Sequence, residues 1–417
     1  MKTKKAVVVG GGIIGLCSAY FLNKKGFEVT VIDKGDFRQG CSHGNAGMIV
    51  PSHFIPLAAP GAIKLGLKWM FNPESPFHLP LRLDKDLITW VWKFYRAANK
   101  RHVTRSAPLL SWLNLASKQL YEEIGEEALP AFGFQKKGLL MVCKTFKVLD
   151  EEASLVTMAQ KLGIKAMVLS SDEVRQLDPG LRLAIAGAVY FPGDAFLTPQ
   201  LFMSGLYHRL CTLGVSFLPF SEVISFSKKA GVITAAHTKN KSFVADEYII
   251  AGGAWSGRLC RNLSVNLPLI AGKGYSVLLP QPKARPKICA ILTEARVAVT
   301  PMQNGLRFAG TMELGNAHEK VNKKRLNGIF KSIPRYFPDF KAVDFQNLDV
   351  WTGLRPCSPD GLPYLGRPKH FKNLILATGH AMMGLSLGPV TGHLVSQIAC
   401  NEKMERDISL LNPSRYD

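Results

Sequence analysis

The sequence predicts an α/β fold built on a parallel sheet flanked by helices, with enough further chain for a second domain. Two observations carry this. Val7-Val8-Val9-Gly10-Gly11-Gly12-Ile13-Ile14-Gly15 is a short apolar run that breaks into glycine and re-emerges as a helix. Two later stretches, residues 248–256 and 373–380, repeat the pattern of strand running into glycine. At 417 residues, 47% hydrophobic and 20% charged, the chain is globular and long enough for two or three domains.

Residues 6–9 form an unbroken apolar run of the kind buried on both faces of a parallel sheet. Gly10, Gly12 and Gly15 then supply G-x-G-x-x-G, and residues 14–25 follow with the apolar period of a helix. A second strand, residues 29–32, ends at Asp33, about 18 residues beyond Gly15 and near the spacing of the dinucleotide-binding fingerprint. Each part has a physical task. Gly10 permits the turn, Gly12 lets a pyrophosphate touch the backbone, and Gly15 lets helix and strand pack closely. The helix N-terminus at Ile13 and Ile14 offers free N–H groups and a partial positive charge to phosphate. Asp33, followed by Lys34, is placed to accept hydrogen bonds from adenosine ribose hydroxyls. The unit predicts a bound dinucleotide.

Composition excludes several classes. The 8 cysteines are scattered with no CxxC pair, which predicts reduced, mostly buried thiols rather than a disulfide framework or a zinc site, and no metal is expected. Only five residues precede the first apolar strand, too few for a signal peptide. The nearest approach to a membrane span, residues 373–400, is broken by Gly379, Gly384, Gly388 and Pro389. A cytoplasmic protein is expected. Its net charge of +21 is spread over the chain, with no concentrated basic stripe of the kind that reads nucleic acid, so no specific nucleic-acid partner is expected.

Residues 87–98, 109–124 and 197–213 read as helices, and 215–251 as short strands. A flavin nucleotide needs more than the fingerprint, because its ring must be held by chain far from the N-terminus. Three stretches suit that. Residues 40–48, including Ser42, Asn45, Ala46, Gly47 and Met48, are small and polar enough for phosphate and ring contact. Residues 248–256 run through Ala251 and Gly252 to Trp255. Residues 373–380 end at Gly379 and His380, and Met383, Gly384, Leu385 and Ser386 then lead to a helix expected to open over residues 384–392. A helix N-terminus there would stabilise the negative charge that reduction puts on a flavin ring.

These motifs, with residues 42–47, 58–61, 273–276 and 353–361, resemble the D-amino-acid oxidase superfamily of FAD-dependent amine oxidoreductases, and within it the bacterial D-amino-acid dehydrogenase branch, nearly end to end. The resemblance implies a Rossmann-like FAD domain assembled from residues 1–55, 191–260 and 346–417. A substrate domain with a large mixed or antiparallel sheet would come from residues 56–190 and 261–345. Val223 would match the backbone clamp on adenine. Relatives that attach the flavin covalently use a cysteine near the position of Gly353 or a histidine near Gly44; here position 353 is glycine and His43 is one place off, so noncovalent FAD is expected.

Oxidising an amino acid at Cα requires its carboxylate to be held so that hydride leaves toward flavin N5, giving an imino acid that hydrolyses to a 2-oxo acid and ammonia. Arg355 stands where the superfamily carries its carboxylate-binding arginine, and a guanidinium fork suits that anion. Tyr275 is a second catalytic and substrate-binding candidate, and His53 a third residue for the substrate pocket. The expected substrates are D-amino acids or cyclic imino acids such as D-proline or hydroxyproline, with a membrane quinone as acceptor. An oxygen-using oxidase of the glycine oxidase kind and an RNA-modifying flavoenzyme stay open as alternatives. Residues 55–71, apolar with two lysines, read either as a lid over the pocket or as peripheral contact with the inner face of the cytoplasmic membrane.

Overall fold

The computed structural model describes residues 3–70, 72–80, 84–129, 131–315 and 320–417. Two sheets organise the chain. The first has six strands in the order Tyr364–Gly366, Leu374–Thr378, Glu247–Ile250, Lys5–Val9, Glu28–Ile32 and Ser216–Leu218. Neighbours are parallel except at the edge, where Tyr364–Gly366 runs antiparallel to Leu374–Thr378. Alternation sends Val8, Val31 and Ile249 into one core and Val9, Ile32 and Ile250 into another on the opposite face. That double burial is why residues 7–9, 31–32 and 248–250 are apolar on successive positions.

Helix Ile13–Lys24 follows the first strand as predicted, and helix Gly388–Ala399 lies against it at backbone distance. A Cβ on Gly388 would stand 2.6 Å from Ile13 Cγ1, and one on Gly392 2.4 Å from the Cys17 carbonyl carbon. The two glycines are a helical turn apart and leave a smooth stripe for the partner helix. The helix expected over residues 384–392 therefore starts at Gly388; before it, Ala381–Met383 forms a single 3₁₀ turn.

The second sheet is the large mixed one. Eight strands run in the order Val350–Cys357, Ile270–Leu279, Gly305–Leu314, Val297–Met302, Cys289–Leu292, Leu139–Cys143, Gly187–Phe191 and Met167–Ser170, with Phe77–His78 paired to Gly305–Leu314. Helix Lys323–Tyr336 covers one face, where Leu326, Ile329, Phe330 and Ile333 pack on Val277, Val299 and Phe308. The opposite face carries Arg307 and Arg355.

Two segments depart from the expected division. The chain returns to the first sheet after Cys357 and not at 346, because Val350–Cys357 pairs along its length with Ile270–Leu279. Helix Lys100–Glu127, within the stretch expected in the substrate domain, buries Leu109, Leu113, Tyr121 and Ile124 in the core of the first sheet. It also begins earlier than the expected 109 and runs through Pro108, with the Asn99 side chain accepting from the His102 N–H at its start. An apolar helical stripe does not name the core it will meet; tertiary packing decides that.

Candidate active site

A cavity of about 1760 Å³ lies between the carboxyl ends of the parallel strands and the open face of the large sheet. In open α/β sheets, ligands bind at that end of the strands. The cradle there has no room for side chains. Gly10 sits at φ 114°, and a Cβ on it would stand 2.5 Å from the Ala251 carbonyl oxygen. A Cβ on Gly11 would stand 2.2 Å from Phe37 Cδ1, which accounts for the glycine between Gly10 and Gly12. Gly12 precedes the helix in extended conformation with no side-chain cap. Ser42 Oγ instead accepts from the Ile13 N–H at 3.0 Å, tying the loop of residues 40–48 to the helix start.

Asp33 accepts from the Gly11 N–H at 2.6 Å and the Gly35 N–H at 2.7 Å, and it lines the cavity. Lys34 lies over the Trp255 ring at 3.5 Å, so two residues far apart in sequence close the same end, with Val223 and Gly252 on the wall beside them. Gly10, Gly12, Ile13, Ile14, Ser42, Asn45, Ala46, Met48, Ala251, His380, Met383, Gly384, Leu385 and Ser386 also line the cavity. Gly15, Gly47 and Gly379 do not. Each stands behind the wall because a backbone or ring presses on it: the Gly10 carbonyl oxygen would be 1.8 Å from a Cβ at 15, the Leu197 carbonyl oxygen 2.3 Å from one at 47, and Tyr364 Cδ2 2.8 Å from one at 379.

The loop of residues 40–48 is held from the large sheet. Arg307 donates to the carbonyl oxygens of His43 at 3.1 Å and Asn45 at 2.8 Å, and Ser276 Oγ donates to the Gly44 carbonyl at 2.9 Å. Arg307 is 4% exposed, and burial pulls its guanidinium down to about 10. Sequence reasoning missed it; the available signal was one arginine in the wholly buried strand Gly305–Leu314. It also missed Trp351, whose indole fills the space that a Cβ on Gly44 or Gly353 would enter, 1.9 Å away in each case.

The closing segment is neutral and fixed. His380 Nε2 pairs with Thr391 Oγ1 at 2.9 Å, its Nδ1 has no hydrogen-bond partner among the described residues, and burial pushes the ring down to about 3, so it is uncharged at neutral pH. Ser386 Oγ accepts from the Val50 N–H at 3.1 Å, and Tyr121 donates to the Leu385 carbonyl at 2.6 Å.

At the other end of the cavity Arg355 projects from the large sheet. Its guanidinium lies flat on Gly274: a Cβ there would meet Nη1 and Nη2 at 2.2 Å. Nη1 donates to the Thr311 carbonyl at 2.6 Å. Among the described residues, Nη2 makes no hydrogen bond and no carboxylate lies within ion-pair distance. Burial lowers its proton affinity, yet it stays a cation at neutral pH.

Tyr275 does not join it. Gly274 lies under the Arg355 guanidinium and Ser276 bonds the Gly44 carbonyl, so alternation turns the Tyr275 side chain toward the other face, into the core under helix Lys323–Tyr336. Its hydroxyl is bonded to Glu313 and accepts from the Asn322 N–H at 2.9 Å, and burial raises its proton affinity. Tyr275 borders the cavity but keeps no hydroxyl free for a substrate, which corrects its expected role. His53 does line the cavity, and its Nδ1 stands 3.1 Å from Ser52 Oγ.

The glycine cradle, the acid at the second strand and the volume of the cavity fit a flavin dinucleotide, and known proteins agree. D-amino acid dehydrogenase of Helicobacter pylori is 31% identical over 98% of this chain and 98% of its own. Glycine oxidase of Geobacillus kaustophilus superposes with a TM-score of 0.78 at 22% identity, covering 100% of both chains. L-proline dehydrogenase of P. horikoshii gives a TM-score of 0.72 at 18% identity, covering 100% of this chain and 98% of that one. The family model for DAO, FAD dependent oxidoreductase, matches residues 5–398, and the chain belongs to that family.

Proposed function

We propose that the protein oxidises D-amino acids, or cyclic imino acids of the D-proline and hydroxyproline type, to imino acids, and passes the electrons to a membrane quinone. The observation that carries this is Arg355: a cation lying flat on a glycine inside the cavity, with one nitrogen unbonded among the described residues. A buried guanidinium without an acid is costly, and a substrate carboxylate supplies the missing partner. FAD, when bound, supplies the two-electron acceptor for hydride from Cα. The chain's own residues position. Arg355 grips the carboxylate, Arg307 and Ser276 fix the loop of residues 40–48, and neutral His380 adds no competing charge.

Noncovalent FAD follows from glycine at 353 and from Trp351 packed over Gly44. The test is anaerobic: D-alanine, D-proline or a hydroxyproline should bleach the flavin, and acid precipitation should leave a colourless pellet under a yellow supernatant. No bleaching by any member of the panel would overturn the reading. Rapid reoxidation by oxygen, with no preference for a ubiquinone analogue, would move the acceptor to oxygen.

The quinone assignment is supported by an exposed apolar stripe. Ile88, Trp92 and Tyr95, spaced i, i+4 and i+7 on helix Lys85–Ala97, are 53%, 54% and 67% exposed, while Trp90 and Phe94 of that helix line the cavity. Helix Ala62–Met70 adds exposed Leu67, Lys64 and Lys68. Among the described residues no helix is long and apolar enough to cross a membrane, so contact would be peripheral, on the inner face of the cytoplasmic membrane. The protein should float with anionic liposomes at low salt and release at high salt, and Trp92→Ser should weaken the binding. Equal behaviour with neutral and anionic vesicles would remove this attachment.

A further inference from the structure

Beside the cavity runs a hydrogen-bonded chain that ends on a buried carboxylate. Asp194 is 0% exposed. Its Oδ1 accepts from the Ser52 N–H at 3.1 Å, and its Oδ2 accepts from Ser52 Oγ at 2.5 Å. Ser52 Oγ in turn stands 3.1 Å from His53 Nδ1, and His53 lines the cavity.

The directions of the bonds fix the ring. An ionised Asp194 can only accept, so the Ser52 hydroxyl proton points to it. Ser52 oxygen then faces the ring as an acceptor, and the hydrogen between them belongs to His53 Nδ1. The network thus assigns the Nδ1–H tautomer, with the lone pair on Nε2.

We propose that this chain removes the ammonium proton of the incoming amino acid. The inference rests on the function proposed above, because hydride leaves Cα only when the attached nitrogen is neutral and has a lone pair to give. Each proton moves one place. The ammonium N–H proton goes to His53 Nε2, the Nδ1 proton to Ser52 Oγ, and the Ser52 proton to Asp194 Oδ2. The amine is left neutral, the ring neutral as its other tautomer, and Asp194 as a carboxylic acid that returns its proton to solvent when product leaves. Charge balances: one cation and one anion become two neutral groups.

The surroundings favour that end point. Burial lifts the Asp194 carboxyl to about 7, against the Ser52 hydrogen bonds that act to lower it. Burial first, then facing Arg296, hold the His53 ring down to about 4, so it waits uncharged and passes the proton on. Lys118 faces Asp194 and opposes its protonation, Glu152 faces Arg296, and Cys289 and Tyr190 border Asp194 with their proton affinities raised, so both stay neutral.

The experiment is the pH profile of anaerobic flavin reduction by D-proline and D-alanine at limiting substrate. In the unsubstituted enzyme, Asp194 must be ionised to accept, so the rate rises as pH rises through about 7. In Asp194→Asn and His53→Asn that limb should move up to the substrate's own ammonium ionisation. The cost should be about 100-fold at pH 7 and should fade at high pH. Binding of propionate, which has no amine, should be unchanged, since Arg355 is untouched. A second readout needs no turnover: with ¹⁵N-labelled histidine, the His53 signal, identified by its loss in His53→Gln, should report Nδ1–H at about pH 9, where Asp194 is ionised. It should change tautomer in Ser52→Ala. Identical pH profiles in the variants, or an Nε2–H ring in the unsubstituted protein, would overturn the relay while leaving the proposed function standing. No flavin reduction in the unsubstituted enzyme would overturn the function, and the relay with it.

Discussion

Arg355→Met should lower kcat/KM for the D-amino acid by about 10²–10³-fold, the equivalent of about 3–4 kcal/mol, while the purified protein keeps its full complement of flavin. The size follows from the setting. A carboxylate on a guanidinium in a desolvated site is a charge-assisted pair, and deleting one partner leaves the other buried alone. Flavin retention follows from the contacts: Arg355 touches Gly274, the Thr311 carbonyl and the Met312 sulfur, none of which belongs to the nucleotide cradle. Arg355→Lys should recover only part of the loss, because a single ammonium cannot reproduce the fork. Gly274→Ala should mimic the deletion with the charge still present, since its Cβ would occupy the place of Nη1 and Nη2, 2.2 Å away. Steady-state kinetics and the visible spectrum of the three variants check this. Unchanged kcat/KM in Arg355→Met would remove the arginine from the site.

The nucleotide half was legible because its parts are contiguous. From Val7 to Asp33 the strand, turn, helix and terminal acid occupy one short stretch, and Gly10, Gly11 and Gly15 are each explained by an atom that a Cβ would strike. Arg355 was singled out by the resemblance, as a fork that suits a carboxylate, and its strand brings it to the cavity wall. Tyr275 misled because a neighbour in sequence is not a neighbour on a face. Gly272 and Gly274 mark the side of the strand that must stay open, and Tyr275 has the opposite parity, so the glycines themselves held the signal. Arg307 and the Asp194–Ser52 pair were out of reach for another reason. They join residues more than a hundred positions apart, 262 for Arg307 to Asn45 and 142 for Asp194 to Ser52, and nothing local marks either partner. Helix Lys100–Glu127 shows the same limit at the level of packing, because its apolar stripe suits either core and only assembly chooses.

Gly15→Ala should abolish FAD retention and lower stability by about 3 kcal/mol, the upper part of the range for overpacking. Ordinarily glycine to alanine inside a helix gains up to about 1 kcal/mol. Here the sign reverses, because the added carbon would lie 1.8 Å from the Gly10 carbonyl oxygen and 2.9 Å from its carbonyl carbon. Both are backbone atoms, so no side chain can turn aside. Either helix Ile13–Lys24 lifts from the strand or the turn at Gly10 moves. Lifting the helix breaks its contact with Gly388 and Gly392, and moving the turn drives Gly10 into the Ala251 carbonyl. Both routes disturb the N–H groups that would face the pyrophosphate, so stability and nucleotide binding should fall together. Gly257→Ala is the control: it lies in helix Ser256–Asn262, outside the cavity wall, and its nearest neighbours to a Cβ are 3.7 Å away. That change should be neutral or slightly stabilising, with FAD content unaltered. Thermal unfolding and flavin per chain after gel filtration separate the two outcomes. Full flavin content in Gly15→Ala would mean that the cradle tolerates a displaced helix and that close packing at this glycine is not what shapes the phosphate site.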